Sequence, residues 1–244
     1  MQFKLEICCY NLHSALIAQE SGAHRVELCA DPGGGGTTPG PGVILAAREQ
    51  LQIAVYPIIR PRGGDFLFSD EEFATMLKDI AFCKTAGCDG VVIGLLNADG
   101  TVDKKRTAKL VQQAYPMGVT FHRAFDRAIN PFEALETIIE IGCERILSSG
   151  QAPTALEGAD LLNELVRQAD DRIIIMPGSG VRSHNILELA ERTDAPEYHT
   201  SASIISPSKM QHVNASMQEE LSIIMADGEE IKAIIERLTA RQAP

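Results

Sequence analysis

Gly142-Cys143-Glu144-Arg145-Ile146 stands where an amphipathic segment gives way to a short apolar run, and the arrangement recurs at Gly22-Ala23-His24-Arg25-Val26 and Gly87-Cys88-Asp89-Gly90-Val91. A glycine there supplies the left-handed residue that ends a helix, so each pentapeptide reads as a helix end followed by a strand start. Outward from these three points, short apolar runs begin near Phe3, His24, Ile53, Asp89, Gly118, Glu144, Arg172 and Pro196, and the spacing leaves room for one helix after each. Helix starts are marked by Ser69 with Glu72, Asn130-Pro131 with Glu133, and Thr154 with Glu157, each a capping side chain with a glutamate nearby. Gly158, Leu161, Leu162 and Leu165 then form one apolar stripe at helical spacing. Eight alternations of strand and helix predict an α/β fold with a parallel sheet, and eight units close a TIM (β/α)8 barrel more naturally than they make an open sheet.

The expected domain organisation is a single barrel over residues 1–244, with a Ser-rich loop at about 201–226 before a C-terminal helix ending near Arg241. A loop of that length is expected to be a lid, a partner contact or disordered. The formal net charge of −11 argues against nucleic acid or an anionic membrane as the main partner, because both require basic surface. The chain has no apolar stretch of transmembrane length, and its first residues lack the build of a signal peptide, which predicts a cytoplasmic protein. Its six cysteines lie in or beside buried-looking segments and are expected to be mostly free thiols.

In such a barrel, polar residues at the downstream ends of strands point into the mouth. Glu6 and Cys8 share parity on the first strand, as do Glu27 and Cys29 on the second, so two thiols and two carboxylates can meet in one pocket. Paired thiolates on neighbouring strands suit monovalent copper, and carboxylates suit a harder ion; the plain alternative is that a buried Cys is a small hydrophobe. Cys9, of opposite parity, and Cys83, Cys88 and Cys143 read as structural.

After the third strand, Ile59-Arg60-Pro61-Arg62-Gly63-Gly64-Asp65-Phe66 sets two guanidiniums among glycines. Arg60 and Arg62 suit a carboxylate or phosphate, or else Arg60 neutralises Glu6 and Glu27 within the mouth. The fifth strand ends in His122-Arg123-Ala124-Phe125-Asp126 and the eighth in His199. A histidine so placed serves as general acid or base, as metal ligand, or as a packed imidazole. His13, His24, His184 and His212 have no such placement. The seventh strand runs into Gly178-Ser179-Gly180 and the eighth into Ser201, positions where barrels often hold phosphate on backbone N–H groups. An ordinary tight turn before a helix capped by Ser183 is the alternative there.

Glu6-Ile-Cys-Cys9, Arg25-Val-Glu-Leu-Cys29, Gly35-Gly-Thr-Thr-Pro39, Ile59 to Phe66, Thr120 to Asp126, Leu147-Ser-Ser-Gly150 and Glu197-Tyr-His199 together resemble the CutC family of copper homeostasis proteins over nearly the whole chain. The resemblance implies a TIM barrel, a cytoplasmic location, homodimers or larger homo-oligomers, and copper(I) bound at Cys8 and Cys29. No organic cofactor is expected. Ser179 departs from a Pro-Gly-Gly-Gly pattern at that turn. A second reading from the residues alone is an enzyme acting on a small anionic or phosphorylated metabolite. In it, Arg60, Arg62, Arg123, Gly178, Ser179, Gly180 and Ser201 bind substrate, and Glu6, Glu27, His122, Asp126 and His199 supply the chemistry.

Overall fold

A computed structural model describes residues 3–242. Eight strands, β1 (Lys4–Cys9), β2 (Arg25–Leu28), β3 (Ala54–Pro57), β4 (Gly90–Ile93), β5 (Gly118–Phe121), β6 (Arg145–Ser148), β7 (Ile174–Pro177) and β8 (Glu197–Thr200), carry the site. They alternate with α1 (Leu12–Glu20), α2 (Pro41–Gln50), α3 (Asp70–Thr85), α4 (Lys104–Ala114), α5 (Pro131–Ile141), α6 (Ala159–Ala169) and α7 (Ile186–Thr193). The strands form two parallel four-stranded sheets, β3-β2-β1-β8 and β4-β5-β6-β7. A parallel bridge from Ile58 to Val92, and the Ile59 N–H donating to the Val92 carbonyl at 2.8 Å, join them on one side. On the other side β7 lies beside β8, and the whole is a TIM (β/α)8 barrel.

Side-chain alternation sorts each strand: Leu5, Ile7, Val26, Leu28 and Val55 face the helices in the main apolar core. The barrel axis is filled differently, by an ionic layer. Arg25 lies between Glu6 and Glu197, with its Nη2 donating to Glu197 at 2.6 Å. Arg145 reaches the same Glu197 at 2.9 Å and also Glu144, which accepts the Tyr56 hydroxyl at 2.7 Å. Glu6, Arg25, Arg145 and Glu197 are all buried. Charges so far from water persist only when fully paired and hydrogen-bonded, which this layer achieves.

The three glycines that marked helix ends have φ of 94° at Gly22, 77° at Gly87 and 91° at Gly142, the left-handed region expected of them. Ser69 and Glu72 complete a reciprocal capping box on α3, and Asn130 caps α5 ahead of Pro131. Two caps differ from the sequence reading. Glu157 donates its N–H to the Thr154 hydroxyl at 3.3 Å, yet α6 begins only at Ala159, with Gly158 before it. A Cβ on Gly158 would lie 2.0 Å from the Ser149 carbonyl oxygen, so this glycine serves a close backbone approach and not the apolar stripe. Ser183 is not the cap of α7, since its N–H and hydroxyl both donate to Glu230, at 2.7 and 2.8 Å, and Asn185 precedes the helix.

The stretch expected as a long loop contains β9 (Ser203–Ser206) and β10 (Ile223–Ala226), paired antiparallel with Ile205 opposite Ile224, ahead of α8 (Gly228–Gln242). Its base is tied to α1: Asn11 Nδ2 donates to the Ile224 carbonyl at 3.0 Å, and the Ala226 N–H to the Ser14 hydroxyl at 3.1 Å. The serines hid two β-branched runs, Ser-Ile-Ile-Ser and Ile-Ile-Met-Ala, that are long enough to pair. The six cysteines are free thiols, all buried.

Candidate functional site

A cavity of about 350 Å³ opens among the C-terminal ends of the strands, walled by Cys8, Tyr10, Glu27, Cys29, Arg60, Phe66, His122, Arg123, Arg182, His199 and Ser201, with Ser179 and Gly180. Its floor follows from strand register. Cys8 is paired with Glu27 across β1 and β2, and Glu6 with His199 across β1 and β8, so side chains of one parity from three strands converge. The Cys8 and Cys29 sulfurs share a hydrogen bond at 3.6 Å, and ligand atoms of Cys8, Glu27 and Cys29 all lie within 4.8 Å of one another.

His199 organises the charge on this floor. Its Nδ1 lies 2.7 Å from Glu6 Oε1, and its Nε2 lies 3.7 Å from Glu27 Oε2. Burial alone would lower the imidazole; hydrogen bonds with Cys8 and Glu6 and the nearby carboxylates outweigh it and raise the pKa to about 10, making an imidazolium. Burial would likewise raise Glu6, but Arg25 and His199 hold it well below the usual carboxylate range. The hydrogen bond to Cys29 and the proximity of His199 outweigh burial at Cys8 and bring its thiol well down, whereas Cys29 is pushed up as the proton-bearing partner. Burial first, and then the Cys8 charge, raises Glu27. The floor therefore favours charge on Cys8 and His199 and disfavours it on Cys29 and Glu27.

Arg60 does not pair with Glu6 or Glu27. Its Nη1 donates to the carbonyls of Gly34, Gly35 and Gly36 at 2.9, 3.1 and 2.9 Å, and its Nη2 to Gly64 at 2.8 Å. The glycine-rich loop after β2 is thus folded around one guanidinium, and the carboxylates below find Arg25 and His199 instead. Phe66 lies beneath Arg60, with the guanidinium 4.9 Å from the ring centroid.

The structure does not bring every candidate to the cavity. Arg62 lies outside it, bound to Asp65 at 2.9 Å and Glu72 at 2.7 Å. Asp126 accepts from the Ser148 hydroxyl at 2.6 Å, the Ser149 N–H and Arg123, which fixes the end of β6 to the segment after β5 and turns the carboxylate away from the cavity wall. Glu6 acts only through His199. Gly178 packs beneath, where a Cβ would meet Leu147 Cδ1 at 2.4 Å and the His199 Cβ at 3.2 Å. Glu27, His122, Arg123, His199, Ser179, Gly180 and Ser201 do line the cavity together with both thiols. Tyr10, Phe66 and Arg182 are wall residues that the sequence reading passed over. Tyr10 continues the parity of Glu6 and Cys8 and could have been found by that signal; Arg182, past the Gly178–Gly180 turn, had none.

These features define a barrel-mouth site of a (β/α)8 protein, furnished for a small ligand or a metal ion. The chain belongs to the CutC family, whose model matches residues 3–204. It is 56% identical to a CutC family protein of Chromobacterium violaceum over 81% of this chain and 80% of that one. It is 46% identical to another from Salmonella schwarzengrund, over 90% and 88% of the two chains. Among solved structures, a putative copper homeostasis protein CutC from Streptococcus agalactiae is similar with a TM-score of 0.79 and 30% identity, covering 82% of this chain and 99% of that one. Phosphoribosyl anthranilate isomerase from Thermotoga maritima shares the fold at a TM-score of 0.61 and 14% identity, covering 98% of this chain and 100% of that one.

Proposed function

We propose that this protein binds and handles copper(I) at the floor of the barrel mouth, with Cys8 and Cys29 as ligands and Glu27 at their side. The observation that carries this is the approach of the two sulfurs to 3.6 Å at the base of an open cavity. Soft thiolates select monovalent copper over the harder divalent ions, and the lowered Cys8 thiol eases the proton release that binding demands. His199, anchored by Glu6, balances the added negative charge on the floor. Membership of the CutC family supports the reading through the similar S. agalactiae structure, which is described as a putative copper homeostasis protein. Six free thiols suit a reducing compartment and support a cytoplasmic location.

The test is anaerobic titration of the reduced protein with copper(I) against a competing chelator, beside the Cys8→Ser/Cys29→Ser variant. Stoichiometric binding by the wild type and a loss of roughly a hundredfold or more in the variant, about 2.7 kcal/mol, is the expected outcome. Equal affinities in the two proteins would overturn the proposal.

A further inference from the structure

Two buried donors at the mouth have no acceptor among the described residues, Nε of Arg60 and Nε2 of His122. Each residue is only 4% exposed, and both line the cavity. His122 Nδ1 accepts the Ala124 N–H at 3.1 Å, so the proton of the neutral ring sits on Nε2 and makes it a donor. Burial, with Arg60 nearby, holds the ring neutral by pushing its pKa down to about 3. Folded proteins leave few buried donors unsatisfied, and two beside one cavity call for a ligand that brings an oxygen acceptor.

A second part of the wall has its own character. The turn after β7 places Ser179 at φ 90° and Gly180 at φ 70°, and among the described residues the N–H groups of Gly180 and Val181 donate to no protein acceptor. Successive N–H groups about left-handed residues form a concave anion cradle, and the loops after the seventh and eighth strands are where barrels often place a phosphate. Arg182 borders the same space. A chain of net charge −11 thus sets Arg60, Arg123 and Arg182 around one cavity, a local reversal of sign that copper(I) on two sulfurs does not use.

We propose that the cavity also binds a small phosphate monoester bearing a second oxygen function. Its phosphate rests on the N–H groups of Gly180 and Val181 and on Arg182, and its carbonyl or hydroxyl oxygen accepts from His122 Nε2 and Arg60 Nε. The proposal uses neither sulfur and stands apart from the copper reading.

Calorimetric titration of the full chain with inorganic phosphate, dihydroxyacetone phosphate and dihydroxyacetone tests it. The ester is expected to bind more tightly than inorganic phosphate, and the uncharged ketone without saturable heat. Arg182→Gln should weaken both phosphate-bearing probes by roughly tenfold or more, the effect of losing a charge-assisted contact. The His122 Nε2–H resonance of the wild type should shift with the ester and not with phosphate alone, which needs no substitution near the barrel core. Cys8→Ser/Cys29→Ser should keep the ester while losing copper, so the two readings fail separately. Wild-type protein that binds neither phosphate-bearing probe better than the ketone, or an Arg182→Gln protein that binds both undiminished, would overturn the proposal.

Discussion

His122 and His199 line the same cavity and carry opposite protonation: burial, reinforced by Arg60, keeps His122 neutral, whereas at His199 the hydrogen bonds with Cys8 and Glu6 and the nearby carboxylates outweigh burial. His199 sits against Glu6 and Cys8, while His122 sits against Arg60 and the Phe66 ring, whose centroid is 5.0 Å from its own. The consequence for His122 is an acid sensitivity with a definite window. An unfolded histidine titrates near about 6.5, and the folded one is pushed down to about 3. Above the unfolded value both states are neutral and the group leaves stability untouched. As pH falls below it, the unfolded chain takes up a proton that the folded chain refuses, and stability drops by about 1.4 kcal/mol per pH unit until the folded value is reached. Denaturant unfolding of wild type and His122→Gln across that range should show a shallower acid slope in the variant; parallel slopes would show that His122 does not titrate this way. Strand parity made the pairing of Glu6 with Cys8 and of Glu27 with Cys29 legible in the sequence. It could not show that Arg60 is spent on the Gly34–Gly36 carbonyls, since that depends on how a glycine loop closes over the mouth.

At the scale of the elements, glycine and cap signals read correctly wherever the residue's role was local. Gly22, Gly87 and Gly142 end helices, and Ser69 and Asn130 begin them. The readings at Thr154 and Ser183 differ from the structure where distant groups intervene: Thr154 keeps its contact with Glu157 but caps only a turn ahead of Gly158, which packs against the Ser149 backbone before α6 begins, and Glu230 on α8 claims Ser183. This contrast yields a pair of expected stabilities. Ser69→Ala removes a true N-cap and should cost about 1 kcal/mol, whereas Thr154→Ala removes a turn contact in front of α6 and should cost less than half as much. Gly158→Ala, although a better helix former by propensity, should be the most damaging of the three, at roughly 2 kcal/mol or more, because backbone and not a side chain blocks the added methyl. Thermal unfolding of the three single variants gives the order, and a Gly158→Ala protein as stable as wild type would remove the close-approach explanation.

At the scale of the whole molecule, the barrel puts its charges on the axis and leaves apolar surface on an appendage. Ile205 is 74% exposed, Ile223 55% and Ile204 49%, all on the β9–β10 ribbon, with Met210, Val213 and Met217 exposed between the strands. Strand alternation turns Ile204 and Ile223 to one side of the ribbon and Ile205 to the other, so both of its faces carry exposed apolar surface, and the family model ends at residue 204, early in the ribbon. Apolar side chains exposed on both faces of one ribbon are more than scattered surface residues require, and a self-complementary surface is the common route to a symmetric homo-oligomer. A second copy covering the ribbon would account for it and would match the homo-oligomers that the family resemblance led us to expect. Ile205→Lys adds a charge at the most exposed position, while the anchoring contacts to Asn11 and Ser14 at the ribbon's base stay in place. Light scattering of the wild type should give a mass of at least twice the 26.4 kDa chain, and the Ile205→Lys protein should shift toward that of one chain with its far-ultraviolet spectrum unchanged. A wild type that scatters as one chain at all accessible concentrations would assign the apolar ribbon to some other partner.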